Sequence, residues 1–92
     1  MMPLDISHEH ALQRFGVQVE GHGCSLDYER RGNTMIITHV LVPDAVGGRG
    51  IAAALVERAL ETARAEGWRV VPQCPYAAAY VRKHPIWSDL IA

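Results

Sequence analysis

Residues 34–66 read TMIITHVLVPDAVGGRGIAAALVERALETARAE, and they hold a strand, a glycine-rich loop and a helix in direct succession. The run 34–42 is rich in β-branched residues and almost continuously apolar, which predicts a central strand covered on both faces. Pro43 ends this strand because proline cannot donate to a strand ladder. From Ile51 to Glu66 apolar residues recur at helical spacing on one face, and Gly67 is typical of the position after a helix. The segment therefore predicts an amphipathic helix packed on a sheet.

The flanking segments complete an α+β pattern. Residues 14–19 and 24–30 alternate between apolar and polar side chains and are separated by glycines, which predicts an antiparallel hairpin and, with 34–42, a three-strand meander. After the helix, residues 69–73 return as a short strand, and this path requires a right-handed parallel crossover. Pro72 within it indicates an edge strand or a bulge. Residues 76–84 form a short terminal helix that Pro85 ends.

Size and charge restrict the partners that we expect. The chain has 92 residues, of which 49% are hydrophobic, and this suits one domain with a core over about residues 14–90. A net charge of −1 without runs of like charge argues against nucleic acid and membrane partners. No secretory signal or membrane span is evident, so we expect a cytoplasmic protein. Cys24 and Cys74 lack metal-ligand spacing, which predicts two free thiols and no metal site.

The loop Val46-Gly47-Gly48-Arg49-Gly50-Ile51 lies where the strand ends and the helix begins. Amides at a helix start have no partner within the helix and can hold an anion, and glycines let a phosphate approach the backbone. Arg49 adds a positive charge. A flexible turn is the alternative interpretation of such glycines. A nucleotide P-loop is excluded because no Gly-Lys-Ser/Thr follows, and a dinucleotide fingerprint is excluded because the loop follows a meander.

The run ITHVLVPDAVGGRGIAAALVERALETA (residues 37–63) resembles motif A of the GCN5-related N-acetyltransferases. The two glycines of that motif, Gln/Arg-x-x-Gly-x-Gly/Ala, correspond to Gly48 and Gly50. Residues 17–90 as a whole resemble the smallest members of the family. The ITHTEVP, RGRGIA, CPY, Tyr and HP segments of those proteins stand here as ITHVLVP, GGRGIA, CPY, Tyr80 and HP.

The resemblance implies a truncated form of that family's fold and an N-acetyltransferase that uses acetyl-CoA and an amine of a small molecule or peptide. The pantetheine would lie in a gap between residues 36–42 and 69–73. The coenzyme-binding residues so implied are Val40, Leu41, Val42, Val46, Gly47, Gly48, Arg49, Gly50, Ile51 and Ala52. Two alternatives remain: a non-catalytic module that binds CoA or acyl-CoA, and an interaction domain in which the loop is only a turn. The sequence leaves the acceptor and the oligomeric state open.

This sequence departs from the family pattern at three places. Ala45 stands where motif A prefers Gln or Arg, and Gly47 stands where Arg is common. These two changes barely affect a pyrophosphate site built from backbone amides. Val40-Leu41 stands where the small proteins commonly have Thr-Glu. This third change removes a carboxylate that would serve as a base or bind the amine.

Three side chains are candidates for catalysis. Tyr80 resembles the helical tyrosine that points at the coenzyme sulfur, and a phenol can protonate a thiolate of similar basicity; a packed core tyrosine is the alternative. Cys74 precedes a helix start, where the helix dipole favours a thiolate. Its thiol would then carry the acetyl group or line the pocket, and a buried inert cysteine is the alternative. His39 would deprotonate the amine or steer it, and the alternative is a core histidine whose hydrogen bonds are satisfied within the protein.

Overall fold

A computed structural model, which describes residues 4–92, shows a five-stranded sheet with two helices packed on one of its faces. The elements are, in chain order, β1 (Ser7–Glu9), β2 (Arg14–Val19), β3 (His22–Arg31), β4 (Thr34–Leu41), α1 (Ile51–Glu66), β5 (Arg69–Pro72) and α2 (Pro75–Lys83). Short 3-10 turns lie at His10–Leu12, Asp44–Val46 and Pro85–Leu90. The strands follow chain order across the sheet, antiparallel from β1 to β4 and parallel between β4 and β5.

This architecture confirms the predicted α+β fold of a meander, a crossover helix, a parallel strand and a terminal helix. The bounds of β2 and α1 agree with the sequence pattern, and α2 begins one residue earlier than predicted because Pro75 suits the first position of a helix. The last strand, β5, lies at an edge of the sheet, as Pro72 indicated. Among residues 4–92, no helix has the length and apolar content needed to cross a membrane.

The strand β1 was not predicted, and it lies before the expected start of the core at residue 14. It has only three residues and no buried side chain, so its sequence carries no strand periodicity. It forms because β2 offers a free edge, with Ser7 paired to Gly16 and Glu9 paired to Arg14. His8 of this strand is half-buried, because its ring stacks on Phe15 and its Nε2 lies 2.6 Å from the hydroxyl of Tyr28.

One hydrophobic core lies between the sheet and the helices. The apolar face of α1 buries Ile51, Leu55 and Ala59 as the periodicity predicted, and α2 adds Ala77 and Tyr80 to the same cluster. The two helices contact each other over the sheet, and we call the face of the sheet that they cover the inner face. The prediction that β4 is covered on both faces was wrong. Its buried residues, Met35 and Ile37, alternate with half-buried ones because no helix of the described residues covers the outer face.

Candidate functional site

The strand β4 has a paired half and an open half. Its ladder with β5 runs from Thr34 opposite Arg69 to Ile37 opposite Pro72, and the amide of Cys74 then donates to the carbonyl of Ile37 at 2.9 Å. Beyond Ile37, residues 38–41 are paired with β3 alone. The ladder ends here because Pro72 has no amide and the chain turns into α2 at Pro75. The open half of β4 (residues 38–41) therefore borders the gap that the family resemblance implied.

A bulge in β4 marks the boundary between the two halves. Tyr28 lies opposite Ile37 and Asp27 lies opposite His39, so Thr38 is an extra residue on β4, and its hydroxyl donates to the carbonyl of Asp27 at 3.2 Å. Such an insertion exchanges the faces on which the following side chains lie. Val40 is therefore on the inner face, opposite Leu26.

The bulge also decides the position of His39 and Leu41. Both lie on the outer face, and both side chains are exposed, Leu41 by 49%. Val40 and Val42, in contrast, are half-buried and pack against the core. The inner-face valines thus anchor the open half, and the side chain of His39 is free of the core. A satisfied core histidine, one of the two interpretations of this residue, is not what the structure shows.

In the glycine-rich loop, some backbone amides donate hydrogen bonds to backbone carbonyls and others do not. The amides of Val46 and Gly47 donate to the carbonyls of Pro43 and Asp44, each at 3.0 Å. Among residues 4–92, the amides of Gly48, Arg49 and Gly50 have no backbone acceptor. The first amides of α1, which begins at Ile51 and includes Ala52, belong to the helix start and have no acceptor within the helix. Val46 itself is fully buried and holds the loop to the core.

Two glycines of the loop have a backbone that other residues avoid. The φ angles of Gly48 and Gly50 are +74° and +78°, in the left-handed region that favours glycine. A Cβ at either position would meet no heavy atom within 4 Å. The loop is therefore shaped by glycine and opens onto free space beside unpaired amides, which is the arrangement that an oxyanion such as phosphate needs.

Arg49 points away from this free space. Its guanidinium makes a bidentate contact with the carboxylate of Glu20 in the turn between β2 and β3, at 2.6 and 3.2 Å. The hydrogen bond from Arg49, and then its charge, hold the pKa of Glu20 below the usual value of a glutamate. The contact ties the loop to the hairpin, so the positive charge that the sequence placed beside a pyrophosphate is already paired.

Cys74 lies at the start of α2, where the ladder between β4 and β5 ends. Cys74 is the residue that caps α2, it is 8% exposed, and its thiol is free, as is that of Cys24. Its amide is held by Ile37 and its carbonyl accepts from Ala78 at 2.9 Å. The backbone of Cys74 is thus fixed at the point where β4 and β5 diverge. This confirms the prediction of two free thiols.

Tyr80 is buried in the second turn of α2, and its hydroxyl has a partner that the sequence did not reveal. The phenol donates to the carboxylate of Glu57 on α1 at 3.2 Å. Burial, and then the charge of Glu57 and this hydrogen bond, raise the pKa of Tyr80 above that of an ordinary tyrosine. His84 stacks on the ring with 4.0 Å between centroids, and its Nδ1 donates to the carbonyl of Tyr80 at 2.8 Å. The phenol therefore stays protonated near neutral pH.

A cleft of about 260 Å³ separates α1 from α2 beside these residues. Its lining combines small side chains with one cation and rings: Ala53, Tyr76, Ala79, Tyr80, Lys83 and His84. Because Ala53 belongs to the first turn of α1, the cleft begins next to the glycine loop. The small alanines of that turn leave this space.

Comparison with known proteins identifies the family. A family model described as GCN5-related N-acetyl-transferase matches residues 14–90. The chain belongs to this acetyltransferase family. It is 32% identical over 87 residues to Protein NATD1 of Mus musculus and of Homo sapiens, covering 91% of this chain and 79% and 77% of those proteins. The solution structure of a GCN5-like putative N-acetyltransferase from Staphylococcus aureus superposes with a TM-score of 0.77 at 22% identity, covering 100% of this chain and 91% of that one.

Within this family fold, the predicted residues fall into two groups. The open half of β4 meets Cys74 where the ladder with β5 ends, and Tyr80 lines the cleft that begins at Ala53, in the first turn of the helix after the glycine loop. His39 lies on the outer face. Glu57 was not among the candidate residues predicted from the sequence. No local signal reveals Glu57, because its partner is 23 positions away and on another helix.

Proposed function

We propose that this protein transfers an acetyl group from acetyl-CoA to an amine of a small molecule or peptide. The observation that carries the proposal is the open half of β4, which ends its ladder with β5 at the point where Cys74 begins α2. A thioester held along this strand edge would meet unpaired backbone amides on one side and the two helix starts on the other. Family membership supports this reaction class.

The glycine loop fits the pyrophosphate of the coenzyme. The unpaired amides of Gly48, Arg49 and Gly50, with those of Ile51 and Ala52, offer donors at the positive end of the α1 dipole. Free space lies at the Cβ positions of the two left-handed glycines. The amides of Val46 and Gly47 would contribute by shaping the turn. An amide among Val40, Leu41 and Val42 would then face the thioester oxygen and stabilise its developing charge.

The reaction needs two proton transfers. The neutral amine nitrogen forms a bond to the thioester carbon, the carbon–sulfur bond breaks, and the products are an acetamide and the free thiol of CoA. The proton lost by the nitrogen passes to water or to His39, which is exposed beside the gap on the outer face. The departing thiolate takes a proton from Tyr80, whose raised pKa keeps the phenol protonated.

Cys74 offers a second route to the same products. Its thiolate would attack the thioester carbon, release the CoA thiol and carry the acetyl group until the amine takes it. The position of Cys74 at the divergence of β4 and β5 supports this route, and its 8% exposure supports direct attack by the amine instead.

One pair of observations favours the alternative function, a module that binds CoA or acyl-CoA without turnover. Leu41 offers no carboxylate at the position where the family resemblance implies one, and the hydroxyl of Tyr80 is already engaged by Glu57. Under this alternative the coenzyme binds in the same gap, and no acceptor is acetylated.

Thermal unfolding with added ligand tests coenzyme binding. A ligand that binds only the native state at a hundred times its dissociation constant stabilises it by about 2.7 kcal/mol, which raises the Tm of a small domain by roughly 10 °C or more. We expect this rise with CoA and with acetyl-CoA at millimolar concentration, and no comparable rise with adenosine triphosphate as a matched polyanion. An unchanged Tm with both coenzymes would contradict the proposal.

Release of free thiol from acetyl-CoA in the presence of amines then separates the enzyme from the binding module. For the route through Cys74, mass spectrometry after incubation with acetyl-CoA alone is decisive. The covalent route predicts one acetyl adduct on the wild type and none on Cys74→Ala. An adduct that persists in the variant, or Cys74→Ala with unchanged turnover, excludes the acetyl-cysteine.

A further inference from the structure

The outer face of the sheet contains a trough that the coenzyme site does not use. It has a volume of about 520 Å³ and lies over β1, β2 and β3. Its floor is low because Gly16 and Gly23 present no side chains and Ser7 and Ser25 present short ones. The φ angle of Gly16 is not in the left-handed region, so the backbone at this position does not require a glycine. A Cβ there would project into the trough, 3.5 Å from the Glu9 carboxylate.

The strand register connects this trough to the open half of β4. Side chains that lie opposite each other in adjacent strands share a face of the sheet. One row of such partners crosses the outer face through Ser7, Gly16, Ser25 and Leu41. The next row runs through Glu9, Arg14, Asp27 and His39. Both rows begin on β1 beside the trough and end on the exposed residues of β4 that border the gap.

Charged side chains of β1 and β2 line the trough, and Arg14 lies opposite Glu9 in the strand register. Arg14, the cation in its lining, is neutralised by Asp27 at 2.7 Å. Two carboxylates in the lining, Asp5 and Glu9, form no ion pair with any residue from 4 to 92. The rim on β1 is therefore negative. Three strand spacings, about 14 Å in total, separate it from β4.

We propose that this trough binds the acceptor, and that the acceptor is a linear amine with a second ammonium group. The reacting nitrogen lies at the open half of β4 near His39, and the chain follows the glycine floor toward β1. The second ammonium lies beside the carboxylate of Glu9 at the β1 rim. This inference rests on the proposed function and adds the substrate class. Approach from the outer face is open, because both helices cover the inner face.

The first test measures binding without relying on turnover. The probes are spermidine and butylamine, added to the CoA-loaded protein, with amide chemical shifts recorded by NMR. We expect spermidine to shift the amides of Gly16, Gly23 and Ser25, and butylamine at equal concentration to leave them unchanged. If spermidine does not shift these amides, the proposal that the trough binds the acceptor is wrong. Shifts of the Gly48 and Gly50 amides on addition of CoA would show, independently, that the coenzyme still binds. Broadening of the trough amides together with dimer formation in sedimentation assigns the face to a second copy and also overturns the proposal.

The second test uses variants and the kinetics of thiol release. An exposed ion pair has a modest free energy, so we expect Glu9→Gln to raise KM for spermidine roughly fivefold with kcat and the KM for butylamine unchanged. Glu29→Gln is the matched control, because it removes the same charge from the same face outside the trough. Gly16→Val fills the floor and weakens spermidine more than butylamine without lowering Tm. Equal effects of Glu9→Gln and Glu29→Gln, or equal effects of Gly16→Val on both amines, overturn the trough.

Discussion

The paired and open halves of β4 differ in what their neighbours supply. In the paired half, Met35 and Ile37 are fully buried, and strands lie on both sides. In the open half, His39 and Leu41 are exposed, and one edge of the backbone has no strand beside it. The composition of the two halves is similar, since both are dominated by β-branched and aliphatic residues. The end of the neighbouring strand β5, rather than a difference in polarity, therefore leaves one backbone edge of β4 accessible.

The largest expected contrast is in stability. Ile37→Ala removes a fully buried side chain and should lower the free energy of unfolding by about 2–5 kcal/mol. Leu41→Ala in the open half should change it by less than about 0.5 kcal/mol, because the side chain is half exposed. Urea denaturation followed by circular dichroism measures both. Similar losses in the two variants would show that the halves are not distinct.

A smaller effect is expected at the loop that follows the open half. Gly50→Ala and Gly67→Ala place the same methyl group at left-handed positions at the two ends of α1, so both should destabilise the protein by roughly 1–2 kcal/mol. Only Gly50→Ala should also weaken CoA, by roughly tenfold, because its Cβ enters the space left for the pyrophosphate. Titration calorimetry with CoA measures this difference. Equal CoA affinity in the two variants would contradict the loop site.

The smallest effect concerns the proton of Tyr80. The pKa of Tyr80 is raised in the folded state, by burial first and then by Glu57. The protonated phenol therefore contributes to the stability of the folded protein. This contribution is complete below the unfolded pKa of about 10 and is lost as pH rises through the folded pKa. Glu57→Gln removes the carboxylate and lowers the folded pKa. The alkaline decline of kcat, if Tyr80 is the acid, therefore moves to lower pH.

The control for this prediction is Glu61→Gln, one turn along the same helix and without contact to Tyr80. We expect its pH–rate profile to match that of the wild type, and Tyr80→Phe to lose the alkaline decline together with most of the turnover. Ultraviolet titration of tyrosinate gives the same pKa without reference to activity. A pKa of Tyr80 that is unchanged in Glu57→Gln would remove Glu57 from the site.

Elements with local signals could be predicted from the amino-acid sequence alone. Strand alternation, helical periodicity and Gly67 fixed β2, α1 and the end of α1, and the glycine spacing at Gly48 and Gly50 marked the loop. Local signals suffice for these features because backbone sterics and amphipathic burial act between residues that are near in the chain. The family was also readable from the sequence, since its motifs fall within residues 37–85.

Features that depend on partners far apart in the chain arise only when the chain is folded. The strand β1 exists because β2 has a free edge, and the bulge at Thr38 places His39 on the outer face through its register with Asp27. The carboxylate of Glu57 reaches Tyr80 only when two helices pack together. Pairing and packing set these contacts, and neither is encoded in the spacing of residues along one element. The candidate residues were therefore named from the sequence, while their faces, their partners and the trough beside them came from the fold.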